Sequence, residues 1–499
     1  MEMTVPKDKY AVITVTYQAI KMACYQVTVI LSIALLVSCD SGNPNSQKPN
    51  IVFIVVDDLG WTDIACNGSK YYETPNIDQL AREGANFTQA YAACAVCSPT
   101  RAAIVTGKYP ARLELTTHIP SMAKGWNMGV PPENAAFTLD HPASRKQSGV
   151  PNRNYLPLEE ITTAEMLKKA GYRTGYVGKW HLGHDDYHPM HQGFDWQAAV
   201  TNWGQPMSYY SPYQRQVRGK TYRMESLPAK PGKEEYLTDR LGDEAMGFIQ
   251  RNKDKPFFLQ LAFYSVHTPI QPPQEKVPHF EQKEKQGDHQ NAAYAAMLQK
   301  TDENIGKILG ALEDHDLQKN TMVVLYSDNG GLLPVTSNKP LRKGKGYAYE
   351  GGIRVPLIIK WPKKIKKGLS VDTPVTSVDF LPTFCSVAGI EIEAGQPIDG
   401  IDILPVLQNP SASPARSLFW HFPHYRGSDV VPYSVIRDGN WKLIKRYDGK
   451  TFELFNLKND ISEKIDEAEK MPDKVKILND KLEQWKKDVD AKVPLLPAD

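Results

Sequence analysis

Cysteine is scarce in this chain, with 6 among 499 residues. That density excludes a disulfide scaffold, so whatever the cysteines do must be local. An excess of one charge is missing as well: 59 Lys and Arg stand against 57 Asp and Glu, a net charge of +2. Such a balance excludes the basic stripes of a nucleic-acid binder, and no nucleic-acid partner is expected. No period of about 20 to 50 residues recurs, which excludes a repeat protein. The apolar stretch 22–37 is too short for a comfortable membrane span. What is present is 41% hydrophobic residues, enough for either two to four domain-sized units or one large α/β core with an appended layer.

The first 39 residues read differently from the rest. Lys21 precedes the apolar stretch, which has the length of a signal-peptide core and ends in Leu36-Val-Ser-Cys39. That ending resembles a bacterial lipobox, which implies a lipoprotein signal peptide over 1–39, a lipid on Cys39 and a polar tether over 40–48. The expectation is an exported protein held to a membrane through Cys39, periplasmic or at the cell surface. Cys24 leaves with the signal; the pairing of Cys66, Cys94 and Cys385 stays open at this point.

Cys97-Ser-Pro-Thr-Arg101 starts a short apolar run closed by Gly107. Ser98 and Pro99 are helix-opening residues, so the thiol is expected at a helix N-terminus, where free N–H groups favour anions and Arg101 adds a planar cation. Around this segment the chain alternates buried-type strands with helices. The run 51–56 is apolar throughout, and 172–177, 256–266 and 321–326 read with it as buried strands of a parallel sheet. Each ends in ligand-type residues: Asp57 and Asp58, Lys179 and His181, His267, then Asp328 and Asn329. Open α/β sheets bind ligands at such strand ends, and convergence of acids with lysine and histidine at one sheet edge implies a single site. A basic, glycine-rich loop carrying Lys345 follows, and then a fifth strand over 357–360.

Three carboxylates and an amide oxygen make a hard site suited to Ca2+ or Mg2+ rather than zinc. Arg101, Lys179 and Lys345 with the two histidines suit a tetrahedral oxyanion. Cys97 is the candidate nucleophile, yet a thiol is a poor partner for a hard cation. After residue 372 the texture changes to short strands separated by Asp438-Gly439 and Asp448-Gly449, closed by a helix with Val475, Leu478, Leu482, Trp485 and Val489 on one stripe.

The Cys97–Arg101 run with Thr106-Gly107 resembles the signature of the type I sulfatases, the formylglycine-dependent branch of the alkaline-phosphatase-like superfamily. Asp57-Asp58-Leu-Gly-Trp61, Gly178-Lys-Trp-His-Leu-Gly183, Ser327-Asp-Asn-Gly330 and the stretch from Lys345 to Pro356 extend the likeness over nearly the whole mature chain. The resemblance implies an α/β fold: a large mixed, mostly parallel sheet between helices as the catalytic domain over 49–372, and a smaller antiparallel sheet with a packing helix over 373–499. It further implies that a formylglycine-generating maturation enzyme oxidises Cys97 to formylglycine (3-oxoalanine). Asp57, Asp58, Asp328, Asn329 and the modified Cys97 are then expected to hold Ca2+. Arg101 and Lys179 hold the hydrated aldehyde, His181 takes a proton from it so that sulfate can leave, Lys345 binds the sulfate and His267 protonates the leaving alcohol.

The implied activity is hydrolysis of sulfate esters on a polysaccharide or an oligosaccharide derived from one. Two alternatives stand beside it: a phosphodiesterase or phosphonate hydrolase of the same superfamily, and a catalytically dead glycan-binding lipoprotein. Aromatic-rich loops can stack on sugar rings, and Trp203, Tyr209, Tyr210, His424, Tyr425 and Arg426 are the expected walls of the substrate pocket.

Overall fold

The computed structural model describes residues 48–120, 136–139 and 148–494, apart from 218, 225, 231–233, 286, 394, 411 and 450–451. The expected signal segment and the lipid site at Cys39 lie outside the described residues. From Pro49 onward the chain forms one compact unit.

The apolar runs pair into an eight-stranded sheet. Its order is Leu369–Val371, Ala85–Phe87, Leu357–Lys360, Thr321–Ser327, Asn50–Val56, Phe257–Ala262, Arg173–Gly178 and Trp196–Ala198. Leu357–Lys360 pairs antiparallel with both of its neighbours, while the remaining pairings are parallel. The sheet is therefore mixed and mostly parallel, as expected.

The central strand Asn50–Val56 is buried at every position, because helices cover both faces. Its odd residues, Ile51, Phe53 and Val55, enter one apolar cluster with Phe258, Val324, Tyr326, Phe380 and Phe384. Its even residues, Val52, Ile54 and Val56, enter another with Leu259, Leu325 and the helix Ala292–Asp314. The period of two thus splits one strand between two cores. Burial at roughly 25 cal/mol per Å2 of apolar surface makes these two layers the main stabilisers of the sheet.

A second, four-stranded antiparallel sheet comprises Ser417–Phe422, Tyr433–Asp438, Trp441–Arg446 and Phe452–Asn456. The helix Pro472–Asp488 covers one face through Leu478, Leu482 and Trp485 against Ile436, Leu443 and Leu454. The other face packs against Tyr91, Ala95 and Val96, immediately before Cys97. Ser417–Phe422 was not expected as a strand. Its aromatic-rich sequence turns Trp420 inward, where the indole N–H donates to the Ala92 carbonyl at 2.7 Å.

Past the expected boundary at 372/373 the chain first adds to the large sheet's layers. The helix Phe380–Ala388 belongs to the layer under the large sheet, since Phe380 and Phe384 pack on Phe53, and the small sheet begins only at Ser417. Among the described residues no disulfide forms: Cys66, Cys94, Cys97 and Cys385 are all free. No described helix is long and apolar enough to cross a membrane.

Candidate active site

The parallel strands bring their C-terminal ends to one edge, and polar residues follow each. Asp57 and Asp58 leave the central strand, and Asp328 and Asn329 leave its neighbour on one side. Lys179 follows Gly178, and the Phe257–Ala262 strand continues to His267. Gly178 is required at its turn. Its φ is 99°, and a Cβ there would stand 2.0 Å from the Ala262 carbonyl oxygen, a close approach that only glycine permits. The turn puts Lys179 fully inside.

Cys97 opens the helix Cys97–Thr106, whose residues are all buried. Its N-cap, Val96, is extended and has no side chain able to cap, so no side-chain cap occupies the helix start. Thr100 Oγ1 instead fastens the preceding turn by donating to the Cys94 carbonyl at 2.9 Å. Gly107 closes the helix at φ 67°, in the left-handed region.

The side chains converge tightly. Lys179 Nζ stands 2.6 Å from Asp57 Oδ2, and Lys345 Nζ stands 2.5 Å from Asp58 Oδ1. Arg101 donates from Nε to Asp328 Oδ2 at 2.8 Å and from Nη1 to the Lys179 carbonyl at 2.6 Å. Asn329 donates to Asp58 Oδ1 at 2.7 Å, and Cys97 Sγ lies 3.8 Å from Asp57 Oδ1. Ligand atoms from Asp57, Asp58, Cys97 and His267 all fall within 4.8 Å of one another. His267 was expected only as an acid, yet its Nε2 lies 3.7 Å from Asp58 Oδ2.

The donor set fits a hard divalent cation. Asp58 Oδ2 and Asn329 Oδ1 are buried oxygens without a hydrogen-bond partner, and buried oxygens of that kind carry a cost that a cation removes. Burial together with Asp328 pushes Asp57 up to about 8, an effect that a bound cation opposes. Burial also works against ionisation of Asp58, but Lys345, His267 and Lys179 outweigh it and hold Asp58 well below the usual carboxylate range. Burial, with Lys345 and Lys179 nearby, lowers His267 to about 3. Burial pushes the Cys97 thiol up, so as a plain cysteine it is a protonated, weak nucleophile.

The two histidines present different atoms. His181 Nε2 lies 2.8 Å from the Ile119 carbonyl. A carbonyl only accepts, so that nitrogen carries the proton and the buried, unpartnered Nδ1 is left as a base. Burial and Lys179 keep this ring neutral. Gly204 lies flat beneath it: a Cβ there would meet the ring at 2.6 Å. His267 Nδ1 faces the Thr268 carbonyl at 2.8 Å, which turns Nε2 toward the acids.

The expected pocket walls fare unevenly. Tyr209 is wholly buried, and its hydroxyl donates to the Tyr264 and His267 carbonyls at 2.8 Å. It braces the His267 loop. His424 is also fully buried and lies 2.7 Å from Thr116 Oγ1. Both rings serve as interior anchors, which a long loop needs for its own polar backbone. Trp203 clusters with Met207 and Tyr222 beside a separate cavity of about 500 Å3. Tyr210, half-buried, donates to the Pro272 carbonyl. Half-buried Tyr425 precedes Arg426, whose Nη1 lies 3.4 Å from the Lys345 carbonyl, so Arg426 touches the loop that carries Lys345.

Sequence reasoning missed Asp63. Its Oδ2 accepts from Gly60 N at 2.8 Å and from the Tyr294 hydroxyl at 2.6 Å, and its Oδ1 accepts from Thr336 at 2.7 Å. The carboxylate thus ties the acidic turn to the loop that carries Lys345. The detectable signal was an acid three residues after the glycine that ends this turn.

Residues 49–390 match the family model described as Sulfatase, and residues 343–488 match one described as N-sulphoglucosamine sulphohydrolase, C-terminal. A Formosa agariphila protein named Sulfatase is 34% identical over 519 residues, covering 90% of this chain and 91% of its own. Mouse N-acetylgalactosamine-6-sulfatase is 33% identical over 434 residues, covering 83% and 75%. Of the solved structures, Ps i-CgsB is similar at a TM-score of 0.72 and 32% identity over 88% of this chain and 93% of its own, and it has also been solved with k-i-k-neocarrahexaose. The phosphonate monoester hydrolase of Agrobacterium radiobacter shares the fold, with a TM-score of 0.62 at 18% identity over 89% of this chain and 96% of its own.

Proposed function

The chain belongs to the sulfatase family, and on that premise we propose that it hydrolyses sulfate esters of a carbohydrate, using a formylglycine made from Cys97 and a bound Ca2+. The observation that carries this reading is the position of Cys97: a buried thiol at an uncapped helix start, inside a cluster of acids and cations. Its Sγ stands where the oxygens of the matured residue belong. Asp57, Asp58, Asn329 and Asp328 would hold the ion, with the residue at 97. Once present, the two groups supply a hydroxyl nucleophile and a Lewis acid at the sulfate.

The rest of the chemistry falls to the chain's own side chains. Lys345 and Lys179 place ammonium groups against the acids and toward an incoming sulfate, where they stabilise charge developing on its oxygens. Arg101, locked by Asp328, orients the residue one turn before it. His267 aims Nε2 into the site while its Nδ1–H is held by the Thr268 carbonyl, so Nε2 must first gain a proton, which an anionic sulfate ester beside it favours, before it can deliver one to the departing sugar oxygen. His181, neutral with a free Nδ1, accepts the proton that must be lost before sulfate departs. Acid and base are thus separate rings fixed by different carbonyls.

A sulfated carbohydrate as substrate is supported by relatives named as carbohydrate sulfatases and by the carrageenan hexasaccharide bound to Ps i-CgsB. Export, lipid attachment at Cys39 and maturation by a formylglycine-generating enzyme complete the proposal, with the N-terminal apolar stretch and its Leu36–Cys39 ending in support. The test is sulfate release from sulfated oligosaccharides by the matured wild type and by Cys97→Ala. Release by the wild type and none by the variant is expected; equal rates contradict the mechanism. A greater rate on a phosphate diester than on any sulfate ester would move the assignment to the phosphoryl-transferring branch.

A further inference from the structure

A cavity of about 1070 Å3, whose lining holds no catalytic side chain, is bounded by the loop that leads into Lys345. One wall is the loop from Leu333 to Lys343, which runs on within two residues to Lys345. Two residues of chain span no more than about 7 Å, so the wall ends close to the Lys345 backbone. The same loop is pinned to the acidic turn: Thr62 Oγ1, also in the lining, donates to the Ser337 carbonyl at 3.2 Å, and Lys345 N donates to the Gly331 carbonyl at 3.1 Å. The opposite walls come from the segment at Lys70 and from Ser462–Lys464 of the smaller sheet's loop.

The charge of this cavity is one-sided. Its two acids are already engaged, Asp288 by Lys339 at 3.0 Å and Glu463 by the buried Lys442 at 2.8 Å. Lys70 and Lys464 are exposed and form no ion pair with any described residue. Lys343 is exposed as well, with Asp429 at 3.9 Å and the Tyr347 ring 4.7 Å beneath its ammonium. Leu333, 41% exposed, and Pro340 offer apolar faces between the cations. Unpaired ammonium groups around a concave, partly apolar surface suit an extended anion with ring faces rather than a small ion.

Resting on the carbohydrate-sulfatase reading, we propose that this cavity is an accessory binding site for a second, non-reacting sulfated segment of the same glycan chain, held mainly by Lys70 and Lys464. The enzyme then prefers oligomers over single sugars, because the accessory contact lowers KM only for substrates long enough to reach it. Salt weakens the preference, since exposed charges are screened within a Debye length of about 8 Å at physiological ionic strength.

The test compares the full-length matured protein with Lys70→Glu/Lys464→Glu, two exposed substitutions remote from the reacting atoms. Binding of labelled disaccharides and hexasaccharides from κ-carrageenan and chondroitin sulfate is measured at low and high salt, and turnover of a small aryl sulfate is measured in parallel. The proposal expects the wild type to bind at least one hexasaccharide more tightly than its disaccharide, and the double variant to lose about tenfold of that affinity at low salt while retaining aryl sulfate turnover. Unchanged hexasaccharide affinity in the variant overturns it, as does a wild type that binds neither hexasaccharide more tightly than its disaccharide. Failure of the wild type to cleave the aryl sulfate, with length-dependent binding intact, counts instead against the sulfatase chemistry.

Discussion

Asp58 accepts from both Lys345 and Asn329 on one oxygen and leaves the other without a hydrogen bond. A carboxylate satisfied on one side and bare on the other is the mark of a ligand. Calcium at a hundredfold excess over its Kd should therefore add about 2.7 kcal/mol to stability, seen as a rise in Tm that a chelator reverses together with activity. In Asp58→Ala the calcium-dependent rise should vanish; a rise equal to that of the wild type would show that the ion sits elsewhere. These side chains were legible in the sequence because each follows an apolar run, and such runs end at one sheet edge. Tyr209 and His424 were not legible as interior residues, because their burial is set by loops that return from distant parts of the chain.

The turn 57–60 and the loop 331–345 are irregular segments whose geometry depends on one carboxylate, Asp63. Burial raises its pKa even though His289, Tyr294, Thr336 and Gly60 N favour the charged form. Asp63→Ala strands those donors and should cost about 2 to 4 kcal/mol, read as a lower denaturation midpoint. Asp63→Asn keeps one acceptor and should be milder, with kcat reduced more than KM is raised because the acids and Lys345 lose their mutual register. A loss of stability with unchanged kcat in both variants would make Asp63 structural only. Trp420 presents a parallel case. Its strand has bulky residues facing both ways and so lacks the alternation that marks a strand in sequence, and its pairing with Tyr433–Asp438 and the Ala92 contact emerge only in the fold. Trp420→Ala should cost about 3 to 5 kcal/mol, measured by chemical denaturation.

Across the whole molecule the small sheet meets the segment after the Lys345 loop at buried charges. Lys442, fully buried, stands 3.0 Å from Glu350 and 2.8 Å from Glu463. One ammonium cannot neutralise two carboxylates. Burial, only partly offset by Lys442, raises Glu463 to about 7, whereas Lys442, Arg354 and Arg437 overcome burial and lower Glu350 to about 2. Because the folded pKa of Glu463 lies above the ordinary 4.5, its contribution to stability is complete below about pH 4.5 and is lost as pH rises through about 7. Glu350 has the opposite sign: its contribution is complete above about pH 4.5 and is lost as pH falls toward about 2, so it does not vary within that window. Comparing Tm of wild type and Glu463→Gln from pH 5 to 8 should show a fall in the wild type that is reduced in the variant; parallel curves would refute the assignment. Fold class and the order of the catalytic blocks were readable because strand and helix periods persist over many residues. The extent of each body was not, since the helix Phe380–Ala388 follows a change of texture yet packs under the large sheet.

The central claim is that residue 97 works as an aldehyde and not as a thiol. Preparations matured to different extents, assayed for aldehyde content at residue 97 and for sulfate-ester hydrolysis, test it most directly. Activity should rise in proportion to aldehyde content and fall by at least about a thousandfold when that content is zero, as in Cys97→Ala. Undiminished hydrolysis by protein whose residue 97 remains an unmodified cysteine would contradict it.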